Sequence, residues 1–397
     1  MARITLFLCI LIALPLQTEA LTRSQAVAIA LENSPVIKSS AASATAAGAV
    51  SMQSFWLDNP VVELDWAGLP TFGSLKSFES RELTVEQTIP NPIRRYFDIA
   101  GKNAEKDVAY LEYQWVRREI EAQVQVQYTR WSVARRRVVM RQADLQDART
   151  LSDVAAKRLE QGTIDRFTSL QAEVEVRQAM TTLRGAESEE EMARQDLSLL
   201  LGQAITSEPD DSLSLPPEVP VPDSTGRYLL AERGVDAAEN QRNGTLTSLL
   251  PDFALAGYQT RGMAGETSWG FRIAATVPLW VFPNWTSEVR IANANLDRAH
   301  AEAERIRQDY RARRQTLETQ WRKYQDDLHD HRSGIMATAD ELLRVAQKSY
   351  SEGAVDYLHL LEARRSHRAV MEGYHDLIQN LWSTWAQLYM FRPEETK

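Results

Sequence analysis

The sequence predicts a mainly α-helical chain with a small β part, built as two copies of a strand–strand–long helix–turn–helix unit. Three observations predict it. The stretch Gln161-Gly162-Thr163-Ile164-Asp165-Arg166-Phe167-Thr168-Ser169-Leu170-Gln171-Ala172 returns as Glu352-Gly353-Ala354-Val355-Asp356-Tyr357-Leu358-His359-Leu360-Leu361-Glu362-Ala363, with Gly, Asp, Leu and Ala in register. Each copy interrupts a long run without proline: none lies between Pro92 and Pro209, and none between Pro283 and Pro393. Each run follows two short segments in which apolar and polar residues alternate. The two copies are too far apart for a solenoid, so half of the molecule is duplicated.

The elements follow in order. Residues 1–20 read as a secretory signal, with Arg3 as the positive start, Ile4 to Leu16 as the apolar run, and Thr18-x-Ala20 before the cut. That run is too short for a membrane anchor. The only cysteine, Cys9, lies inside it, so the mature chain has no thiol and no disulfide. Residues 21–206 form the first repeat. Leu21 to Trp56 reads as helical with a break near Pro35, and Ser24 and Ser34 read as caps. A β-hairpin is predicted over 59–90, where Val62, Leu64 and Trp66 alternate with Glu63 and Asp65, and Leu83, Val85 and Ile89 with Glu82, Thr84, Glu86 and Thr88.

From Ile93 the apolar residues recur in steps of three and four (Tyr113, Val116, Ile120, Val124, Tyr128, Trp131), which predicts a long helical hairpin over 93–202. A single helix from Ile93 to Leu159 spans about 100 Å and needs a partner along most of its length. Residues 207–227, with Pro209, Pro216, Pro217, Pro220 and Pro222, read as a linker. The second repeat takes residues 228–391. It has a hairpin over 251–280 (Phe253, Leu255, Phe271, Ile273, Ala275 and Val277 on one face) and a long helical hairpin over 285–391. Residues 392–397 are a polar tail.

The net charge of −9 is unchanged when Arg3 and Glu19 leave with the signal, and an acidic chain is a poor nucleic-acid binder. No later segment reaches the length of a transmembrane helix, so membrane residence requires a β-barrel. Two hairpins cannot close one, because their edges stay open. Four strands from each of three chains would give twelve, and an apolar face backed by a polar face suits strands around a wet lumen. Trp56, Trp66, Phe72, Trp280, Phe282 and Trp285 near the strand ends suit a membrane interface. The competing use of the same pattern is a soluble periplasmic coiled-coil scaffold without a pore. Nothing points to an enzyme: no Ser-His-Asp set, phosphate loop or dinucleotide fingerprint is present. No cofactor and no metal site is expected, since His329 and His331 face different ways on a helix and His367 and His375 lack further ligands.

Four motifs, in this order, carry a resemblance. They are Leu21-Thr22-Arg23-Ser24-Gln25-Ala26-Val27-Ala28-Ile29-Ala30-Leu31-Glu32-Asn33-Ser34-Pro35, then Asn59-Pro60 before a strand, then Val85-Glu86-Gln87-Thr88-Ile89-Pro90 before a long helix, then the repeated Gly-x-x-Asp-x-x-x-x-Leu-x-Ala turn. Together they resemble the outer membrane efflux protein family, the TolC-like ducts, over nearly the whole mature chain. The Pro90-Asn91-Pro92 junction is similar to the heavy-metal and resistance branch.

The resemblance implies a homotrimer with a twelve-stranded barrel in the outer membrane of a Gram-negative bacterium, joined to a long periplasmic α-helical barrel. It implies a passive duct for small solutes or metal ions that works with a periplasmic adaptor and an inner-membrane pump; the alternative within ducts is protein secretion. The duplicated turns then become periplasmic tips, with Gly162, Asp165, Gly353 and Asp356 as turn and adaptor-contact candidates. Tyr350, His359 and Glu362, with Thr168 and Gln171 as first-copy equivalents, become entrance or gate candidates. Family members carry aspartates at the second tip where this chain has His359 and Glu362. Each candidate also has a plainer role. The glycines accept left-handed geometry, and the aspartates can cap the returning helices. His359 is a solvated polar residue or a pH-sensitive one. Tyr350 is a core aromatic or a gate.

Overall fold

A computed structural model describes residues 20–69, 71, 78–210, 213–218, 226–276 and 282–391. The secretory signal up to residue 19, Phe72, Pro220, Pro222, Val277, Trp280, the Phe282 side chain and the 392–397 tail lie outside the described residues. The elements run α1 (Arg23–Asn33), α2 (Pro35–Gln53), β1 (Val61–Ala67), β2 (Ser80–Ile89), α3 (Pro92–Glu160) and α4 (Arg166–Leu201). They continue as α5 (Gly226–Leu246), a 3-10 turn (Thr247–Leu249), β3 (Asp252–Gly262), β4 (Thr267–Thr276), α6 (Phe282–Asp330), a π turn (His331–Ile335), α7 (Met336–Ser351) and α8 (Tyr357–Tyr389).

The chain divides into two units. A sheet unit takes Pro35–Glu119, Glu218–Gln320 and the chain from Gln387. A tip unit takes the chain up to Ser34, Ile120–Pro217 and Trp321–Ala386.

In the sheet unit four antiparallel strands lie in sequence order, and the β2–β3 pairing joins the two repeats. Directly opposed residues share a face. The register aligns Val62, Val85, Gly257 and Phe271 in one row, and Leu64, Leu83, Gln259 and Trp269 in the next. Leu255 opposes Ile273, and Phe253 opposes Ala275. All the apolar strand residues named from the sequence, among those described, thus fall on one face. That face is bare: Trp269 is 78% exposed and Phe271 77%. The other face carries Glu63, Thr84 and Tyr258 in one row and Asp65, Glu82 and Thr260 in another. There Thr260 Oγ1 donates to Glu82 Oε2 at 2.8 Å, and Thr84 is buried. Among the described residues β1 and β4 each have a partner on one side only.

The junction below the strands is clamped by Asn91. Its Oδ1 accepts the Ile93 N–H at 3.0 Å and starts α3, with Pro92 in the first helical position, where no N–H is needed. The Asn91 N–H donates to Asp252 Oδ1 at 2.8 Å, which fixes the start of α3 to the start of β3. α3 then runs for 69 residues without a break.

In the tip unit α1 is capped by Thr22, which corrects the expectation of Ser24. Thr22 Oγ1 accepts the Gln25 N–H at 3.3 Å and Gln25 Oε1 accepts the Thr22 N–H at 2.8 Å, a reciprocal box that Ser24 cannot complete. Ser34 ends α1 and lets Pro35 begin α2. Leu21 binds the inter-repeat segment: its N–H donates to Glu208 O at 2.9 Å, and its carbonyl accepts the Asp210 N–H at 3.1 Å. Tyr128 of α3 sits across this pair, donating to Leu21 O at 2.7 Å and accepting from Asp210 N at 3.0 Å.

Arg23 lies 3.8 Å over the Trp382 ring and 4.8 Å from the Tyr128 ring, and donates to Gln125 O at 2.8 Å. Burial lowers its pKa to about 10, so it remains a cation at neutral pH. Farther along, α3 and α8 are joined by Arg137–Asp376 at 2.6 Å, Arg141–Glu372, Asp144–Arg368 at 3.1 Å and Asp147–Arg364 at 3.1 Å. The sign reverses halfway, so only one antiparallel register satisfies all four pairs.

Two elements depart from the expectation. α5 occupies the start of the second repeat, where no helix was read, and its first two residues, Gly226 and Arg227, fall within the expected linker. Its Gly244 is buried, and a Cβ there would lie 3.2 Å from Asp98 Oδ1, so the missing side chain permits close packing on α3. The second arm contains a π turn that α3 lacks.

Tyr128→Phe removes the hydroxyl that bridges Leu21 and Asp210. The expected loss is about 1 kcal/mol, measured as a shift of the urea midpoint in detergent with the slope unchanged.

Candidate functional site at the two tip turns

Both turns are built by the same backbone chemistry. Gly162 has φ +70° and Gly353 φ +74°, the left-handed region that a side chain strains. Around Gly162, its own N–H reaches Leu159 O at 2.9 Å and the Thr163 N–H reaches Arg158 O at 2.9 Å. Around Gly353, its N–H reaches Tyr350 O at 3.1 Å and the Ala354 N–H reaches Ser349 O at 2.8 Å. The carbonyls left free where each helix ends are thereby satisfied. A Cβ at either glycine would meet nothing within 4 Å, so backbone geometry, and not space, requires glycine.

Asp165 and Asp356 restart the helices. Asp165 Oδ1 accepts the Thr168 N–H at 3.0 Å and the Thr168 hydroxyl at 2.6 Å. Asp356 Oδ1 accepts the His359 N–H at 3.0 Å and lies 2.6 Å from His359 Nδ1. The hydroxyl bond from Thr168 lowers the Asp165 pKa, and the imidazole bond from His359 lowers that of Asp356. His359 is raised above 6.5, chiefly by its hydrogen bond to Asp356, then by that carboxylate's charge, with Glu362 adding to it. The pair is therefore most favourable between the ordinary carboxylate and imidazole values. It is lost as pH rises through the raised His359 pKa, and again as pH falls through the depressed Asp356 pKa.

Beneath the turns Ala155, Ala172, Tyr350, Tyr357, Leu360 and Leu361 form one buried cluster. Tyr350 is 7% exposed, with its ring centroid 6.2 Å from that of Tyr357 and the Arg158 guanidinium 5.0 Å over it. In the single chain it is a core aromatic. Burial pushes the Tyr357 hydroxyl up to about 12, so it stays neutral.

Of the sequence candidates, the structure brings together Asp165 with Thr168, and Asp356 with His359. Glu362 is exposed and Gln171 half-buried. Two residues were missed. Phe167 and Leu358 occupy the same position in the two copies, two residues after the capping aspartate, and are 69% and 54% exposed. The visible signal was a large apolar residue in both copies of an otherwise polar turn.

The histidines are dispersed. His367 Nε2 lies 2.9 Å from Asp340, and burial lowers His375 to about 4, with Arg137 and Arg136 adding to the effect. Among the described residues no group of three or more His, Cys, Asp or Glu could hold a metal ion. Among them, too, no helix is long and apolar enough to cross a membrane.

Residues 229–391, most of the second repeat, match the family described as Outer membrane efflux protein. That stretch of the chain is thus similar to outer membrane efflux proteins. Among solved structures, a membrane protein from Pseudomonas aeruginosa is similar with a TM-score of 0.80 and 18% identity, over 94% of this chain and 90% of that one. The Campylobacter jejuni CmeC outer membrane channel gives 0.76 and 13%, over 94% and 87%. The open state of the Neisseria gonorrhoeae MtrE outer membrane channel gives 0.76 and 16%, over 93% and 88%. At these identities the likeness establishes the fold. No curated protein sequence matches.

Titrating His359 by NMR should give an apparent pKa above 6.5, and Asp356→Asn should lower it. Amide exchange in the first turn of α8 should quicken as pH rises through the His359 value.

Proposed function

We propose that three copies of this chain assemble into a passive efflux duct, each giving four strands to a closed twelve-stranded barrel. One observation carries the reading: among the described residues, a four-stranded sheet with a bare apolar face has unpartnered strands at both edges. In an outer membrane those edge N–H and C=O groups face hydrocarbon, and only closure satisfies them. The apolar face then meets lipid and the carboxylate-bearing face lines the bore. The helices and their tip turns form the periplasmic end, where an adaptor and an inner-membrane pump would engage. Gly162, Asp165, Gly353 and Asp356 shape that end. His359 and Glu362, with Thr168 and Gln171, are its exposed or half-exposed polar residues, and Tyr350 is the wedge beneath them. Small solutes or metal ions are the cargo on this reading, with the pump setting the choice.

Phe271→Arg places a cation on the lipid face. It should cost roughly 2–4 kcal/mol per chain near the midplane and should lower the yield of cross-linked trimer from outer membranes. Glu63→Arg, on the opposite face and exposed, should leave that yield near wild type. Equal yields from the two variants would overturn the facing assignment.

Glu362→Lys should shift the ion selectivity of the purified channel in a planar bilayer away from cations while trimers form normally. Unchanged selectivity in normal trimers would remove Glu362 from the entrance.

A further inference from the structure

We infer that the π turn His331–Ile335 is a hinge on which α7 swings, moving the Gly353 turn while α8 stays braced to α3. The inference rests on the tips being the entrance of the duct.

Backbone evidence comes first. The Met336 N–H reaches back five residues to His331 O, so the helical ladder widens here. In the first repeat α3 runs unbroken. The turn also contains the pair Ser333-Gly334, and π turns and Gly/Ser pairs are both recognised causes of helix bending. A Cβ on Gly334 would meet nothing within 4 Å. Packing does not demand glycine there, so its effect is backbone freedom.

The neighbouring contacts fit a bearing. A Cβ on Gly373 of α8 would lie 3.3 Å from His331 Cε1, so α8 presents bare backbone to the ring. The buried His331 Nδ1 has no hydrogen-bond partner, which leaves packing alone to hold the ring. Contacts that resist sliding are thus few at this point.

The bracing is one-sided. Glu372 and Asp376, flanking Gly373, pair with Arg141 and Arg137 of α3, and two further pairs continue the ladder toward the tip. α7 buries only Ala339 and Tyr350. Its Leu342 and Val345 are each 47% exposed. Its side-chain hydrogen bond to α8 joins Asp340 and His367 at 2.9 Å. A swing of α7 would draw Tyr350 against the Tyr357, Leu360 and Leu361 cluster and change the width of the tip.

The test uses the full-length channel in planar bilayers. Beyond Cys9 the chain has no cysteine, so Asp340→Cys with His367→Cys gives one reactive pair. A bis-methanethiosulfonate linker should pin α7 to α8 and abolish openings, and reductant should restore them. As a second variant, Ser333→Ala with Gly334→Ala should lower the open-to-closed ratio about fivefold, the weight of one glycine-to-alanine change in a helix. Its melting temperature should not fall below wild type. A wild-type protein that never conducts would overturn the duct reading and the hinge with it. A conducting wild type whose pinned and alanine forms open equally often would overturn the hinge alone.

Discussion

The sheet's two open edges are the constraint on which the rest depends. A strand edge in water can be left bare, but the same edge in hydrocarbon leaves several N–H and C=O groups unpaired at several kcal/mol each. The described residues make four strands, too few to close. Its apolar face is on one side and its carboxylates are on the other, so the sheet has an inside and an outside before it meets any partner. The Asn91 clamp passes this geometry to the helices by fixing where α3 leaves the strands.

Much of the fold was legible because duplication wrote it twice. The repeated turn marked the ends of the long helices, and period-two alternation marked the strands. Residues assigned to one strand face from alternation alone share that face in the pairing register. What escaped was local. α5 carries Gly234, Gly244, Asn240 and Asn243, which weaken helix propensity, and packing on α3 overrides that weakness. The cap of α1 went to Thr22 over Ser24 because the reciprocal partner Gln25 lies three residues after Thr22. The π turn leaves little mark in the sequence beyond Ser333-Gly334.

The tips were legible as turns and less so as a site. Glycine and aspartate at matching positions state their geometry outright. Tyr350 could not be placed, because a helical stripe does not say which of its aromatics faces a neighbouring helix; the cluster around Tyr357 and Leu360 shows it. The α3–α8 ladder was invisible, since its pairs join residues far apart in the chain and charged positions on a helix are usually solvated. Its individual pairs are worth little. The reversal of sign halfway along it matters more, as a filter against wrong registers.

The docking of Leu21 and Arg23 bears on how the molecule is made. Arg23 stacks on Trp382 of the last helix, and Leu21 pairs with the segment between the repeats. The segment that leads into α1 therefore has no finished seat until α8 exists. Contacts of such long sequence separation are slow to form, because the intervening loop must be ordered first. Until then Arg23 has the Tyr128 ring but not the Trp382 ring. Final seating of α1 therefore waits for α8, and until then the Trp382 ring lacks its cation.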